Sequence, residues 1–304
     1  MTNAQYRAEL AKLRSAQLDD ADIAESFENP EYYDPTLVVE MCQQVLKSNL
    51  ATVERYSVVE QLMIAAIDSG NIPIAEKALA DIQKQFHSPV SFTRMAKLQG
   101  LYLEATGCVS EARKLYDDIL EKDAANMVIS KRLIMSFVAE QDRKEAINRL
   151  AKYLDTFMQD TEAWTLLAQL YVDEAMYAQA CFCYEELMIL RPTNVMFALR
   201  YADMASAIGR HEIAIKYYCF VIEWMPDRAH AWYGIRTLTQ LLMNEDGKDR
   251  DRRWKDCGAR PDEVADSEST RALHGLSESR LQDLYSKHSG PKMQKIVNKW
   301  IKAS

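Results

Sequence analysis

Glycine and proline are scarce in this sequence, and no long apolar run is present. The 304 residues include 9 glycines and 8 prolines, whereas β-sandwiches and α/β enzymes use more of both in their turns. The longest apolar runs, such as residues 62–67 and 217–222, have about six residues, and a membrane-spanning helix needs roughly 20. The first ten residues contain no apolar stretch typical of a signal peptide. We therefore expect long helices, short loops, no signal peptide and no membrane span.

The sequence also lacks the usual signatures of chemistry. It contains no CxxC pair, no glycosylation sequon, no glycine-rich phosphate loop, no HExxH and no GxSxG. Its six cysteines are interpreted as reduced thiols of a cytosolic protein, and Cys181 and Cys183 point to nearly opposite sides of a helix. The net charge of −8 argues against nucleic acid as a partner. We expect no catalytic residue, no cofactor and no metal.

A 34-residue repeat is the strongest positive signal. The residues that fall 34 apart are Ala112, Ala146, Ala180 and Ala214, and the residues four positions later are Tyr116, Leu150, Tyr184 and Tyr218. The clearest unit, residues 161–194, combines Trp164, Ala168, Tyr171, Ala180 and Pro192 in the order of the tetratricopeptide repeat. The weaker units keep the small residues at Ala75 and Ala146 and have Leu79 and Leu150 where the clearest unit has an aromatic residue.

The repeat predicts pairs of antiparallel helices, named A and B. Small residues lie where two helices cross, because interaxial distances of about 8–10 Å exclude large side chains. Gly107 and Gly209 are predicted to end helix A in a left-handed conformation. We expect an all-α tetratricopeptide-repeat α-solenoid, a right-handed superhelix with five full repeats over about residues 54–228 and a sixth start near Asp227.

The flanks divide the rest of the chain. Residues 1–53 are predicted to form an acidic arm and a capping helix, 54–243 the repeats, 244–268 a polar loop, and 269–304 C-terminal capping helices. Asp34 and Pro35 are typical of a helix start, and an apolar stripe follows at Leu37, Val38, Met41 and Val45. The acidic segment 15–34 is either a solvated leader or a partner contact.

The last predicted helix, about residues 291–302, permits two interpretations. Its apolar side chains are those of Met293, Ile296, Val297, Trp300 and Ile301, and its positive charges are those of Lys292, Lys295, Lys299 and Lys302. Such a helix either caps the exposed end of the solenoid or lies on an anionic lipid surface.

The A helices of a tetratricopeptide solenoid line a concave groove that holds peptides or partner helices. Counting along the repeat gives these candidate partner-binding residues: Arg94, Lys97, Lys131, Met135, Glu162, Thr165, Gln169, Asp173 and Asp203. The carboxylate clamp of chaperone-binding repeats needs Lys and Asn four apart on one A helix. No A helix provides that pair, because the residue four positions after Lys97 is Leu101 and the residue four positions after Lys131 is Met135. A co-chaperone role is therefore disfavoured.

Several segments carry a more specific resemblance. They are residues 60–70, 111–120, 160–171 and 177–188, and the last is the strongest. Tyr171, Tyr177, Phe182 and the run 185–188 go beyond the generic repeat. Over about residues 55–242 the sequence resembles the family of subunit 2 of the endoplasmic reticulum membrane protein complex.

The resemblance implies a non-catalytic scaffold on the cytosolic face of the endoplasmic reticulum membrane. In that family the subunit contacts cytosolic segments of membrane subunits and a globular cytosolic subunit. The complex is an ATP-independent membrane insertase for transmembrane segments, including tail-anchored proteins. The subunit's membrane association is peripheral, through its partners. The alternative is a soluble tetratricopeptide adaptor or co-chaperone that binds peptides in its concave groove.

Overall fold

The computed structural model describes residues 34–47, 52–85, 92–245, 248, 251–253, 255, 267–288 and 291–303. The predicted acidic arm, apart from Asp34, lies outside the described residues, as does most of the predicted loop 244–268. The described residues contain helices and no strand. The helices are α1 Pro35–Leu46, α2 Thr52–Asp68, α3 Ile72–Gln85, α4 Phe92–Ala105, α5 Val109–Lys122, α6 Met127–Ala139, α7 Arg143–Thr156, α8 Thr161–Asp173, α9 Tyr177–Leu190, α10 Val195–Ala207, α11 His211–Trp224, α12 Ala229–Asn244, α13 Ser267–His288 and α14 Pro291–Ala303.

The chain forms two compact units, the first ending at Asp142 and the second beginning at Arg143. In the first unit, each helix from α1 to α6 packs on the next one along the chain. The second unit repeats this arrangement from α7 to α14. Within each unit the described helices stack mainly on their sequence neighbours, which is the architecture of a repeat protein. The predicted all-α tetratricopeptide class is therefore confirmed.

The A–B crossings explain the small residues of the repeat. Ala112, Ala180 and Ala214 are fully buried. A Cβ atom added to Gly100 on α4 would lie 2.3 Å from the Tyr116 ring on α5. The Tyr116 ring of the same repeat thus occupies the space that a side chain at Gly100 would need, and any added bulk there must displace it.

The turns between A and B helices recur in register with the alanines. Gly107 and Gly209 have φ values of 80° and 86°, as predicted, and the positions between them are Gln141 at 63° and Ala175 at 56°. After α8 the Ala175 amide donates to the Val172 carbonyl at 3.0 Å, and the Met176 amide donates to the Tyr171 carbonyl at 2.8 Å. This is the Schellman pattern, which requires a left-handed residue.

Ala175→Gly is expected to raise the free energy of unfolding by about 1 kcal/mol, because glycine adopts positive φ without the steric cost that alanine bears. The midpoint of denaturant unfolding checks this. Ala272→Gly, at an exposed position inside α13, is the matched control and should lower the free energy of unfolding by about 0.5–1 kcal/mol. Equal effects of the two substitutions would contradict a strained turn at Ala175.

Helix α1 confirms the predicted start. The Asp34 carboxylate accepts the Thr36 amide at 2.9 Å, and Pro35 opens the helix. The predicted stripe was wrong in one position: Leu37 is exposed, whereas Val39, which was not assigned to it, is buried. One residue in a helix turns the side chain by about 100°, and Val39 belongs to the buried cluster that α1 shares with α2, α3 and α4.

Residues 251–253 lie within the predicted polar loop 244–268 and are helical in the structure. Arg253 ion-pairs with Glu212 of α11 and with Glu245, each at 2.8 Å. The Arg253 Nη1 atom also donates to the Gly209 carbonyl at 2.7 Å. Arg253 therefore attaches this part of the predicted polar loop to the α10–α11 turn and to α11.

Candidate functional site

Arg94, the first predicted groove residue, joins two consecutive A helices. From α4, its Nε atom donates to Glu60 Oε1 of α2 at 3.0 Å, and its Nη2 atom also contacts the Glu60 carboxylate. This hydrogen bond raises the pKa of Arg94. The side chain remains largely exposed, so it is both an inter-repeat contact and part of the surface of the first unit.

The other predicted residues of the first unit differ in accessibility. Lys97 and Lys131 are half-buried and both take part in polar interactions. Met135 on α6 is exposed. Of these three side chains, Met135 therefore presents the most apolar surface to a partner.

Four predicted residues form an exposed stripe on α8. Glu162, Thr165, Gln169 and Asp173 are all exposed, and their spacing of three and four residues puts them on one side of the helix. Thr165 donates to the Thr161 carbonyl at 2.8 Å, and Gln169 donates to Asp173 at 2.8 Å. The stripe is a ready polar surface, and its use in binding remains a prediction.

Asp203, the last predicted residue, makes polar contacts with side chains of its own fold. Its carboxylate accepts the Tyr218 hydroxyl of α11 at 2.7 Å and lies 2.7 Å from His230 Nε2 of α12. Burial and the hydrogen bond to Asp203 raise the pKa of Tyr218. Asp203 therefore ties α10 to two neighbouring helices and offers little surface to a ligand.

A feature that the sequence analysis missed is a cavity of about 720 Å³ in the second unit. Residues from α7, α8, α9 and the α7–α8 turn line it, including Leu154, Met158, Trp164, Leu167, Tyr171 and Phe182. Met158 is 66% exposed and Phe182 is 54% exposed. We call this the α7–α9 cavity.

Aromatic contacts shape the α7–α9 cavity. The Trp164 indole N–H donates to the Met158 carbonyl at 2.8 Å, which fixes the turn before α8. The rings of Trp164 and Phe182 meet edge to face with centroids 6.0 Å apart. Two large apolar side chains thus border a preformed cavity, which is the usual setting for a buried partner side chain.

The charges that line the α7–α9 cavity are all negative. Asp155 and Glu186 contribute carboxylates, and none of the described residues that line it is a lysine or an arginine. Phe182 and Glu186 belong to the positions that go beyond the generic repeat. Their departure from the repeat pattern was the available signal for this cavity, although it did not indicate a surface by itself.

The cysteines of α9 are packing residues in this structure. Cys181 and Cys183 are buried, and burial raises their pKa values to about 11 and about 12. Both thiols are therefore protonated and unreactive near neutral pH. Across the described ranges, no three His, Cys, Asp or Glu side chains are placed to hold a metal ion.

Comparison with known proteins places the chain in a family. The model of the EMC2 TPR-like repeat domain matches residues 79–216. The TPR repeat protein oca3 of Schizosaccharomyces pombe is 31% identical over 251 residues, 80% of this chain and 87% of that protein. ER membrane protein complex subunit 2-A of Xenopus laevis is 32% identical over 222 residues, 71% of this chain and 74% of that protein. The chain belongs to the family of ER membrane protein complex subunit 2. Subunit 2 of Xenopus tropicalis gives the same identity and coverage.

The subunit 2 family model spans both candidate surfaces. Its range of residues 79–216 contains all nine predicted groove residues and the whole α7–α9 cavity. Helices α13 and α14 lie beyond the range of the model. Within the described part of the chain, no helix combines the length and apolarity needed to cross a bilayer.

Proposed function

We propose that this chain is a scaffold subunit of the endoplasmic reticulum membrane protein complex, bound peripherally at the cytosolic face. There it organises the membrane subunits of an ATP-independent insertase for transmembrane segments, including tail-anchored proteins. The single observation that carries the proposal is its kinship with subunit 2, at 32% identity over 222 residues. The helical repeat stack supports a role in binding proteins and not in catalysis.

Surfaces within each unit are proposed for the partners. The exposed stripe of α8 in the second unit would receive cytosolic segments of the membrane subunits, and Arg94, Lys97, Lys131 and Met135 are proposed separately as contacts of the first unit. The α7–α9 cavity would take a large apolar side chain from a helix of a partner subunit. Because Asp155 and Glu186 line this cavity, a lysine or arginine beside that side chain would complement it.

Affinity purification from detergent-solubilised membranes tests the proposal. The full chain should recover several multipass membrane proteins, identified by mass spectrometry. Phe182→Glu is expected to reduce the recovery of at least one partner about tenfold or more, because it puts a carboxylate beside Asp155 and Glu186 and removes an apolar contact. Thr165→Arg/Gln169→Arg tests the α8 stripe separately.

Leu241→Glu is the matched control, since Leu241 is an exposed apolar residue of α12 outside the α7–α9 cavity. It should leave recovery unchanged. A chain that elutes alone, or with soluble chaperones and no membrane protein, would refute the complex and favour a soluble adaptor. Recovery that is insensitive to both surface variants would leave membership intact and remove the proposed binding surfaces.

A further inference from the structure

Helix α14 has one face firmly packed in the second unit. Val297 and Ile301 are buried, and α14 packs on α13. Arg236 of α12 donates to the Ile301 carbonyl at 3.0 Å and lies 4.0 Å from the centroid of the Trp300 ring. These contacts fix the rotation of α14 about its own axis, and so they determine which side chains face outward.

The outward face of α14 combines lysines with apolar side chains. Lys292, Lys295 and Lys299 are exposed, Ile296 is 61% exposed and Met293 is 48% exposed. At about 100° per residue, Lys292, Ile296 and Lys299 fall within about 60° of one another, opposite Val297 and Ile301. Helix α14, the cap predicted for the end of the repeats, therefore has a second, amphipathic surface that takes no part in covering the end of the repeats.

This surface has the opposite charge to the chain as a whole. The net charge is −8, yet no Asp or Glu follows Asp283 in the sequence. Among the described residues, no carboxylate forms an ion pair with Lys292, Lys295 or Lys299. Three lysines without counter-ions on one short helix are complementary to a negatively charged partner.

We propose that α14 binds the surface of an anionic lipid membrane through Lys292, Lys295, Lys299, Ile296 and Met293. A lipid surface satisfies both parts of this face, because its headgroups attract the lysines while the boundary of the acyl chains receives the apolar side chains. An acidic peptide would pair with the lysines but leave Ile296 in water. This inference does not depend on membership of a membrane protein complex.

Vesicle co-sedimentation of the full chain tests the proposal. We expect the chain to bind phosphatidylcholine vesicles that contain about 30% phosphatidylserine. Binding should be much weaker with pure phosphatidylcholine and should fall with added salt. Lys292→Gln/Lys295→Gln/Lys299→Gln should weaken partitioning about 100-fold, since each lysine near an anionic surface contributes about fivefold. Ile296→Asn should weaken it several-fold at unchanged charge.

Two matched variants separate position from bulk charge. Lys77→Gln/Lys114→Gln/Lys152→Gln removes the same charge from exposed sites on α3, α5 and α7, and Ile189→Asn removes an exposed apolar side chain from α9. Both should bind as the parent chain does. The proposal is wrong if the α14 variants bind like these controls, if neutral vesicles bind equally well, or if the chain binds a soluble poly-glutamate peptide but no vesicle.

Discussion

Arg253→Met is expected to lower the free energy of unfolding by about 3–5 kcal/mol, the usual result of removing one partner from a buried ion pair. Glu212 is 5% exposed, and Arg253 donates to both of its oxygens at 2.8 and 2.9 Å. Although burial alone would lower the pKa of Arg253, its hydrogen bonds with Glu212 and Glu245 raise it overall. Chemical denaturation of the variant, followed by circular dichroism, measures the loss.

Double substitution identifies the source of that loss. Glu212→Gln/Arg253→Met should recover much of the stability, because it leaves no uncompensated buried carboxylate. Arg252→Met, at the exposed neighbouring residue, should stay within about 0.5 kcal/mol of the parent chain. If the double variant is no more stable than Arg253→Met, the ion pair is not what holds residues 251–253.

The deficit of Arg253→Met should also depend on pH. A buried carboxylate without its partner favours the protonated form, whereas a Glu in the unfolded chain titrates near pH 4.3. Protonation therefore favours the folded variant, and the deficit at pH 7 should shrink as the pH falls toward about 5. A deficit that is constant over this interval would indicate lost packing instead of a stranded charge.

The helix pairing could be read from the sequence because local sterics determine it. Ala112, Ala180 and Gly107 lie at positions where a helix crossing or a left-handed turn restricts the choice of residue. Leu37 marks the limit of this reasoning: an apolar residue at the edge of a stripe is buried only if a neighbouring helix covers it, and Val39, not Leu37, belongs to the buried cluster of the first unit.

The candidate surfaces were less predictable because they depend on contacts between distant residues. Arg94 meets Glu60 from 34 residues earlier, and Asp203 meets His230 from 27 residues later. Repeat counting places such residues on A helices, but it cannot tell a carboxylate that is bonded within the fold from one that is available to a partner. The exposure of Phe182 was likewise not predictable, because the cavity beside it is lined by residues from three helices and a turn.

Arg236→Met is expected to lower the free energy of unfolding by about 2–4 kcal/mol, because it removes two charge-assisted hydrogen bonds and a cation–π contact. Arg236 is 1% exposed, and its Nε atom donates to Glu278 of α13 at 3.2 Å. Its other contacts are the Ile301 carbonyl and the Trp300 ring of α14. One side chain thus joins α12 to both C-terminal helices.

The loss of stability in Arg236→Met should be concentrated at α14. Hydrogen exchange with mass spectrometry can resolve this, because it measures the protection of each helix separately. Amides of α14 should exchange faster in Arg236→Met, while those of α8 and α9 stay protected, because stacked repeats transmit disturbance mainly to their neighbours. Arg200→Met, whose side chain is mostly exposed and 4.0 Å from Asp203, should change neither stability nor exchange appreciably. If α14 keeps its protection without the guanidinium, then its remaining contacts, including the burial of Val297 and Ile301, hold this helix, and Arg236 stabilises mainly the contact of α12 with α13.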